Sequence, residues 1–210
     1  NAATQVNLKK QTLVLDSLTL SGLGLDVKGN LNAQQIIDAP AYDGNLVVAP
    51  FDLRQLLKQL NQKTPLTADA KALGKVALQS SFSGTKTSID LKKLVLVLDD
   101  TQLQGDVSIM DFANPDIRFG IGIDKLNADR YLPPKKEGGK ARPATPETVA
   151  AGAATGLPVE TLRALKAKGD LLIGELIISN ALLRDVRFSI DAKDGNIKLS
   201  PIAANLYEGK

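Results

Sequence analysis

The stretch from Ile89 to Ile109, IDLKKLVLVLDDTQLQGDVSI, alternates apolar and polar residues with a period of two. This period is typical of a β-strand with one buried face, whereas an amphipathic helix repeats every three or four residues. Two polar pairs, Lys92-Lys93 and Asp99-Asp100, shift the phase of the alternation. Because a slip of one residue moves every later side chain to the opposite face, each pair is predicted to be a bulge, a bend or a turn.

The same apolar spacing occurs in three places along the chain, which indicates an internal repeat. The three copies are Leu13, Leu15, Leu18 and Leu20; Ile89, Leu91, Leu94 and Leu96; and Leu171, Ile173, Leu176 and Ile178. A second repeated pattern is Asp-Gly-Asn, which occurs at residues 43–45 and 194–196. Each copy is followed by an alternating segment, which ends at Pro50 in the first case and at Pro201 in the second. Since Asp-Gly is a strong hairpin signal, a turn is predicted at both places.

Three segments depart from the strand pattern and predict short helices or turns. In FDLRQLLKQLNQ the leucines have helical spacing, Asp52 is suited to an N-cap and Pro65 follows the end, so a helix is expected at about 52–61. Leu56 and Leu57 would pack this helix onto a sheet. KLNADRYL predicts a short helical or turn segment, and PVETLRALKA predicts a helix that starts at Pro158.

These elements divide the chain into three parts. Residues 1–132 are predicted to be a β-rich region that contains the helix near 52–61. Residues 133–157 are rich in Pro, Gly, Ala and Lys and predict a mobile loop. Residues 158–210 are expected to form a helix and a C-terminal β repeat. The predicted fold is therefore mainly β, a twisted and curved antiparallel sheet with a few short helices, and the alternative is a right-handed β-solenoid.

Composition removes most enzyme chemistry from consideration. The chain has no histidine and no cysteine, so Ser-His-Asp catalysis, imidazole or thiolate metal sites and thiol chemistry are impossible within it. Asp99 and Asp100 could form a carboxylate pair for hydrolysis or for Mg²⁺ or Ca²⁺, but adjacent acidic residues between two strands are more typical of a turn. No catalytic, cofactor-binding or metal site is predicted.

Charge and aromatic content give no support to nucleic-acid binding. The net charge of +3 arises in one short run at residues 135–142, and only 4% of residues are aromatic, with no Trp to stack on bases. No apolar run approaches the roughly 20 residues of a membrane span, and Asn1 is not an initiator Met. The chain is expected to be an excised or processed soluble piece.

The leucine stripe at Leu94, Leu96 and Leu98 is the candidate functional surface. From the pattern alone an ordinary core is the more frequent role for such a stripe, and a ligand-facing surface is the alternative. Taken alone, these residues indicate a scaffold with apolar faces and do not point to a chemical reaction.

Three longer segments carry a resemblance to a known family. They are YDGNLVVAPFDLRQLL; LVLVLDDTQLQGDVSI with IDKLNADRYLPP; and LPVETLRALKAKGDLLIGELIISNALLRDVRFSIDAKDGNIKLSPIAANLYEGK. In this combination and order the chain resembles the AsmA family of bacterial envelope proteins. The resemblance implies an inner-membrane protein with an N-terminal anchor and a long β-rich body in the periplasm of Gram-negative bacteria, of which this chain would be a C-terminal portion.

The resemblance also implies a function. It suggests a non-enzymatic module for outer-membrane assembly and lipid homeostasis, in which phospholipid or another envelope lipid moves along a β-sheet groove. Leu94, Leu96 and Leu98 would then face acyl chains. The alternative is a protein-interaction scaffold that docks an outer-membrane assembly partner. A continuous apolar concavity would favour lipid, whereas a flat apolar patch with a polar rim would favour a protein.

Overall fold

The structure, a computed structural model, describes residues 2–134 and 166–206. In these two ranges the chain forms eleven strands, one short α-helix and one 3₁₀ turn. The strands are β1 (Ala2–Asn7), β2 (Thr12–Gly22), β3 (Leu25–Gln34), β4 (Ala41–Phe51), β5 (Val76–Thr85), β6 (Ile89–Leu98), β7 (Thr101–Met110), β8 (Asp116–Asn127), β9 (Lys166–Ile178), β10 (Ala181–Lys193) and β11 (Asn196–Leu206).

All eleven strands belong to one sheet, and their order in the sheet is their order in the chain. Every neighbouring pair is antiparallel except β8 and β9, which are parallel. The sheet is twisted, curved and not closed. The predicted mainly β fold is confirmed. The solenoid alternative is not the fold, because strands that follow each other in the chain are antiparallel neighbours everywhere except at β8 and β9.

The phase shifts in the sequence correspond to irregularities in the strands. The register between β6 and β7 shifts between Leu91 and Leu94, and Lys93 between them has a φ of 52°. This bulge bends and twists the strand while keeping the leucines on one face. The pair Asp99-Asp100 forms the turn between β6 and β7, with a φ of 53° at Asp99. Both predictions are confirmed.

The other two copies of the repeat differ from each other. The register between β2 and β3 also shifts, between Leu15 and Leu18, so the first copy contains the same kind of bulge. In the third copy β9 pairs with β10 in one continuous register, and Asp185 of β10 carries a φ of 51°. The equal spacing in sequence therefore does not produce an equal bulge in β9.

The turn predicted at Asp43-Gly44-Asn45 is wrong, because these residues lie inside β4 and pair with β3 and β5. Gly44 serves close packing instead of a turn. A Cβ atom there would lie 2.7 Å from Cζ of Phe82 and still closer to the Asn30 carbonyl oxygen. The turn predicted at Asp194-Gly195 is confirmed, since both residues have positive φ and join β10 to β11.

The predicted first helix is confirmed as α1 (Leu53–Gln59), with Asp52 as its N-cap. The Asp52 carboxylate accepts a hydrogen bond from the Gln55 N–H at 2.9 Å. Hydrogen bonds from α1 lead to the segment that follows it: Leu53 N–H donates to the Leu73 carbonyl at 3.1 Å, and Arg54 Nε donates to the Ala72 carbonyl at 2.6 Å. With seven residues, α1 is too short to cover the sheet.

The segment KLNADRYL contains the 3₁₀ turn Ala128–Arg130, as predicted. The predicted loop at 133–157 lies outside the described residues except for its first two prolines. The predicted helix from Pro158 also lies outside them, apart from Lys166 and Ala167, which begin β9. Both remain predictions.

Candidate functional site

The strand register assigns the side chains of the sheet to two faces, because direct cross-strand partners point to the same side. One row of direct partners crosses all eleven strands: Val6, Leu13, Ala33, Tyr42, Gly84, Ile89, Ile109, Ile117, Ala167, Ala192 and Ile197. We call the side of the sheet that carries this row the apolar face.

Two further rows extend the apolar face along the strands. The second row also crosses every strand: Thr4, Leu15, Leu31, Gly44, Phe82, Leu91, Val107, Phe119, Gly169, Ile190 and Leu199. Another row runs from β2 to β10 and is entirely aliphatic: Leu20, Val27, Val48, Leu78, Leu96, Leu103, Ile123, Ile173 and Val186. The apolar surface therefore continues through the parallel junction of β8 and β9.

The opposite side of the sheet is polar. A row between the first two apolar rows consists of Gln5, Val14, Asn32, Asp43, Ser83, Asp90, Ser108, Arg118, Lys168, Asp191 and Lys198. We call this side the polar face. Its side chains interact across the strands, as in the hydrogen bond from Ser108 to Asp90 at 2.5 Å and the ion pair of Lys168 with Asp191 at 3.8 Å. One face is thus suited to water and the other is not.

No large side chain among the described residues is fully buried, although the chain is 43% hydrophobic. Most leucines and isoleucines of the apolar face are only half-buried, and exposure rises toward the sheet edges, to 57% for Val6 and 57% for Ile197. Globular domains normally bury such a face against a second layer. In the part of the chain that the structure describes, a second layer is missing, so the apolar face is the candidate binding surface.

The three leucines selected from the sequence all lie on this face. Leu94, Leu96 and Leu98 are direct partners of Gly105, Leu103 and Thr101 on β7. Leu94 is 8% exposed, and Leu96 and Leu98 are half-buried. Whether they contact lipid remains a prediction.

Sequence reasoning missed the aromatic residues of the face. Phe82 lies over Gly44, and Phe119 lies over Gly169, whose Cβ would be 2.6 Å from the Phe119 ring. Such rings fill the space that a glycine leaves in a sheet. The signal in the sequence was the alternation in every strand, which would have placed Phe82 and Phe119 on the apolar face once the turns were known.

One end of the sheet carries a structured cap, which we call the capped rim. It consists of α1, residues 60–75, the Asp99-Asp100 turn and the 3₁₀ turn with Tyr131. The Asp99 carboxylate lies at its centre. It accepts hydrogen bonds from the N–H groups of residues 73–75 at 2.8 to 3.0 Å and from the Tyr131 hydroxyl at 3.0 Å.

These contacts shift two pKa values. Burial by itself would raise the pKa of the Asp99 carboxyl, but the hydrogen bonds to its charged form outweigh burial, so this pKa lies below its usual value. Burial, with the hydrogen bond and the charge of Asp99, raises the pKa of Tyr131 to about 12. Asp99 is therefore a structural anion occupied by backbone donors, which confirms its role in a turn.

Arg130 connects the same rim through two carboxylates. Its Nε donates to Asp69 at 2.8 Å, and its Nη1 donates to Asp100 at 2.7 Å. The N–H groups of residues 68 and 69 also pair with the carbonyls of residues 132 and 130. The connection between β4 and β5 is thereby tied to the end of β8.

The described residues contain no cluster of three or more His, Cys, Asp or Glu side chains suited to a metal ion. Within the same residues, no helix has the length and apolarity needed to cross a membrane.

A one-layer sheet with one apolar and one polar face defines a class of β-sheet scaffold that presents an open apolar surface. The chain belongs to the AsmA family, whose family model matches residues 2–210. The resemblance recognised in the sequence is thereby confirmed. Comparison with curated proteins and with solved structures gives no match.

Proposed function

We propose that this chain is a non-enzymatic module of the Gram-negative envelope that shelters the acyl chains of phospholipids on its apolar face. Membership of the AsmA family supports an envelope role in outer-membrane assembly. In this proposal the module lies in the periplasm as the soluble portion of an inner-membrane-anchored protein, and phospholipid or another envelope lipid is its ligand.

The observation that carries the proposal is the apolar face that crosses all eleven strands without a covering layer in the described residues. Each methylene that leaves water for such a surface contributes about 0.8 kcal/mol. An acyl chain therefore gains several kcal/mol from contact with only part of the face. The sheet that carries the apolar face is curved and not closed.

A second candidate, docking of an outer-membrane assembly protein, is supported by the edges of the sheet. Within the described residues β1 pairs only with β2, and β11 pairs only with β10. An edge strand offers unpaired backbone N–H and C=O groups to a strand of a partner. This scaffold function would use the edges and would not require the apolar face to bind lipid.

The experiment that tests lipid handling compares Leu96→Glu with Val95→Glu. Leu96 lies on the apolar face, whereas the adjacent Val95 pairs with Gln79 and Gln104 on the polar face. Lipid retained by the purified proteins is measured by mass spectrometry beside circular dichroism and thermal melting. We expect both variants to fold, because water reaches an uncovered face and solvates the carboxylate, and only Leu96→Glu to lose lipid.

Two results would oppose the proposal. A folded Leu96→Glu protein with undiminished lipid would reject this part of the face as the binding surface. Selective unfolding of Leu96→Glu would show that the face is sealed, since burying an unpaired carboxylate costs several kcal/mol of a typical stability of about 5 to 15 kcal/mol.

A further inference from the structure

A mixed-charge pocket opens at the capped rim, where β7 begins and where β8 and β9 end. Its volume is about 190 Å³. Its lining includes Thr101, Tyr131 and Ile177 and the charged residues Asp100, Lys125 and Glu175. Among its charged lining residues, only Asp100 was weighed as a ligand contact from the sequence, and a turn was preferred for it.

One lining residue of the pocket, Thr101, also belongs to the apolar face. Thr101 is the direct partner of Leu98 and therefore points to the same side, and it is only 8% exposed. Tyr131 reaches over this position, with its hydroxyl 3.4 Å from the Leu98 carbonyl oxygen. Thr101 thus places the pocket next to the Leu98 end of the leucine row on β6.

The charges around the pocket are of both signs and are incompletely paired. Lys125 and Glu175 are direct partners on β8 and β9, whose backbones are about 4.8 Å apart. Lys125 nevertheless forms no ion pair with any described residue. The ion pair of Glu175 is with Arg184 at 3.6 Å, which is longer than a hydrogen bond, and the Asp100 side chain is 74% exposed.

Arg130 also lines the pocket, but its charge is already balanced. Its guanidinium donates hydrogen bonds to the carboxylates of Asp69 and Asp100 at 2.8 and 2.7 Å. The cation that remains for a ligand is therefore Lys125, and the carboxylate directly beside it is Glu175.

We infer that this pocket binds a zwitterionic phospholipid headgroup that carries a phosphate and an ammonium, with Lys125 at the phosphate and Glu175 and Asp100 at the ammonium. The inference rests on the proposed function and specifies its ligand. A plain anion would meet two carboxylates, and a plain cation would meet Lys125. A phosphate and an ammonium joined by a two-carbon spacer place opposite charges close together, as neighbouring strands do here.

The same chemistry is present in a free headgroup, so the experiment separates the two sources. The ligands are dioleoyl phosphatidylethanolamine, dioleoyl phosphatidylglycerol, dioleoylglycerol and water-soluble glycerophosphoethanolamine, each measured by displacement of a fluorescent acyl probe or by calorimetry. We expect the purified protein to bind phosphatidylethanolamine about fivefold more tightly than dioleoylglycerol, which is the effect of modest, partly exposed ion pairs.

Two neutralising variants test the residues. Lys125→Gln and Glu175→Gln should each remove most of this preference and leave binding of dioleoylglycerol unchanged. Lys168→Gln is the matched control, because Lys168 is an exposed cation on the polar face of β9 and should leave the preference intact. Circular dichroism confirms that each variant is folded.

Each alternative result has a distinct meaning. Equal binding of phosphatidylethanolamine and dioleoylglycerol overturns the headgroup site and leaves lipid handling in place. Phosphatidylglycerol bound as tightly as phosphatidylethanolamine, with an effect of Lys125→Gln alone, overturns the zwitterionic class. If no diacyl lipid binds, the proposed function fails. The pocket assignment then stands only if glycerophosphoethanolamine binds the unaltered protein and does not bind the two variants. If glycerophosphoethanolamine does not bind in this way, the pocket assignment fails as well.

Discussion

Asp99 is the residue on which the capped rim depends most. Its carboxylate accepts three backbone N–H groups and one hydroxyl, and a hydrogen bond to a charged group typically contributes about 1.5 to 3 kcal/mol. Asp100 beside it has a 74% exposed side chain and one ion pair, with Arg130. Two adjacent aspartates in one turn therefore have very different structural roles.

The first prediction compares these two residues. Asp99→Asn should lower the free energy of unfolding by on the order of 2 kcal/mol at pH 7, because an amide NH₂ would then oppose backbone donors. Asp100→Asn should change it by less than about 0.5 kcal/mol, as expected for an exposed ion pair. Urea titrations of both variants and the unaltered protein give the values. Equal losses at the two positions would show that the backbone contacts of Asp99 are unimportant.

The pH dependence of the Asp99 effect has a definite sign. Its pKa is lowered in the folded protein from the ordinary value of 3.8, so its carboxylate contributes stability above that value. The contribution is lost as the pH falls through the lower, folded-state pKa. The difference between Asp99→Asn and the unaltered protein should therefore be full at pH 7 and should shrink in titrations well below pH 3.8. A constant difference would contradict the assigned pKa shift.

Gly105 of β7 pairs with Ile121, and Gly120 of β8 pairs with Asp106, so the two glycines are offset by one position in the register. They tolerate a methyl group differently. A Cβ on Gly105 would lie 3.0 Å from the Ile121 Cα and closer still to the Gly120 carbonyl oxygen, whereas a Cβ on Gly120 would meet nothing within 4 Å. We expect Gly105→Ala to cost about 1 to 3 kcal/mol through overpacking. Gly120→Ala should be neutral or slightly stabilising, because alanine loses less backbone entropy than glycine.

Thermal melting of the two alanine variants measures this contrast. A similar stability for both would mean that β7 moves away from β8 without cost, and that the close approach at Gly105 is not a requirement of the curved sheet.

At the scale of the elements, the hairpins were predictable where alternation and local turn chemistry agree. The strand around Leu94, its bulge at Lys92-Lys93 and the turn at Asp99-Asp100 all follow from the phase of the apolar residues. The turn predicted from Asp-Gly at 194–195 was correct for the same reason, because both residues adopt positive φ in the turn. Local sequence is sufficient when a structure is decided by local backbone geometry.

The Asp-Gly at 43–44 shows why other features of the fold and of the candidate site were not predictable from the sequence. There the glycine is required by contacts with β3 and β5, so the decisive atoms come from Asn30 and Phe82, which are distant in sequence. The candidate site depends on the same kind of information. Leu96 could be selected from its own strand, but the apolar rows that cross the sheet require the register of every pair, and the pocket at Lys125 requires the parallel pairing of β8 with β9.

At the scale of the whole molecule, the sheet has only one layer among the described residues. Its apolar side chains contact neighbours on the same face, where each favourable cross-strand pair contributes roughly 0.2 to 1 kcal/mol. They lack the second contact surface that a packed layer normally supplies. A molecule that occupies the apolar face would supply that surface, so the stability of the protein should depend on its ligand.

The last prediction follows from this dependence. A ligand that binds the folded state alone stabilises it by RT ln(1 + [L]/Kd), which is about 2.7 kcal/mol at a hundredfold excess over Kd. Delipidated protein should therefore melt at a lower temperature than protein supplied with phosphatidylethanolamine, and the difference should grow with lipid concentration. Leu96→Glu should lose this rise, whereas Val95→Glu should keep it, because the two side chains belong to opposite faces of β6. Scanning calorimetry with stepwise addition of lipid measures the effect. A melting temperature that is independent of lipid in the unaltered protein would mean that acyl chains do not occupy the apolar face.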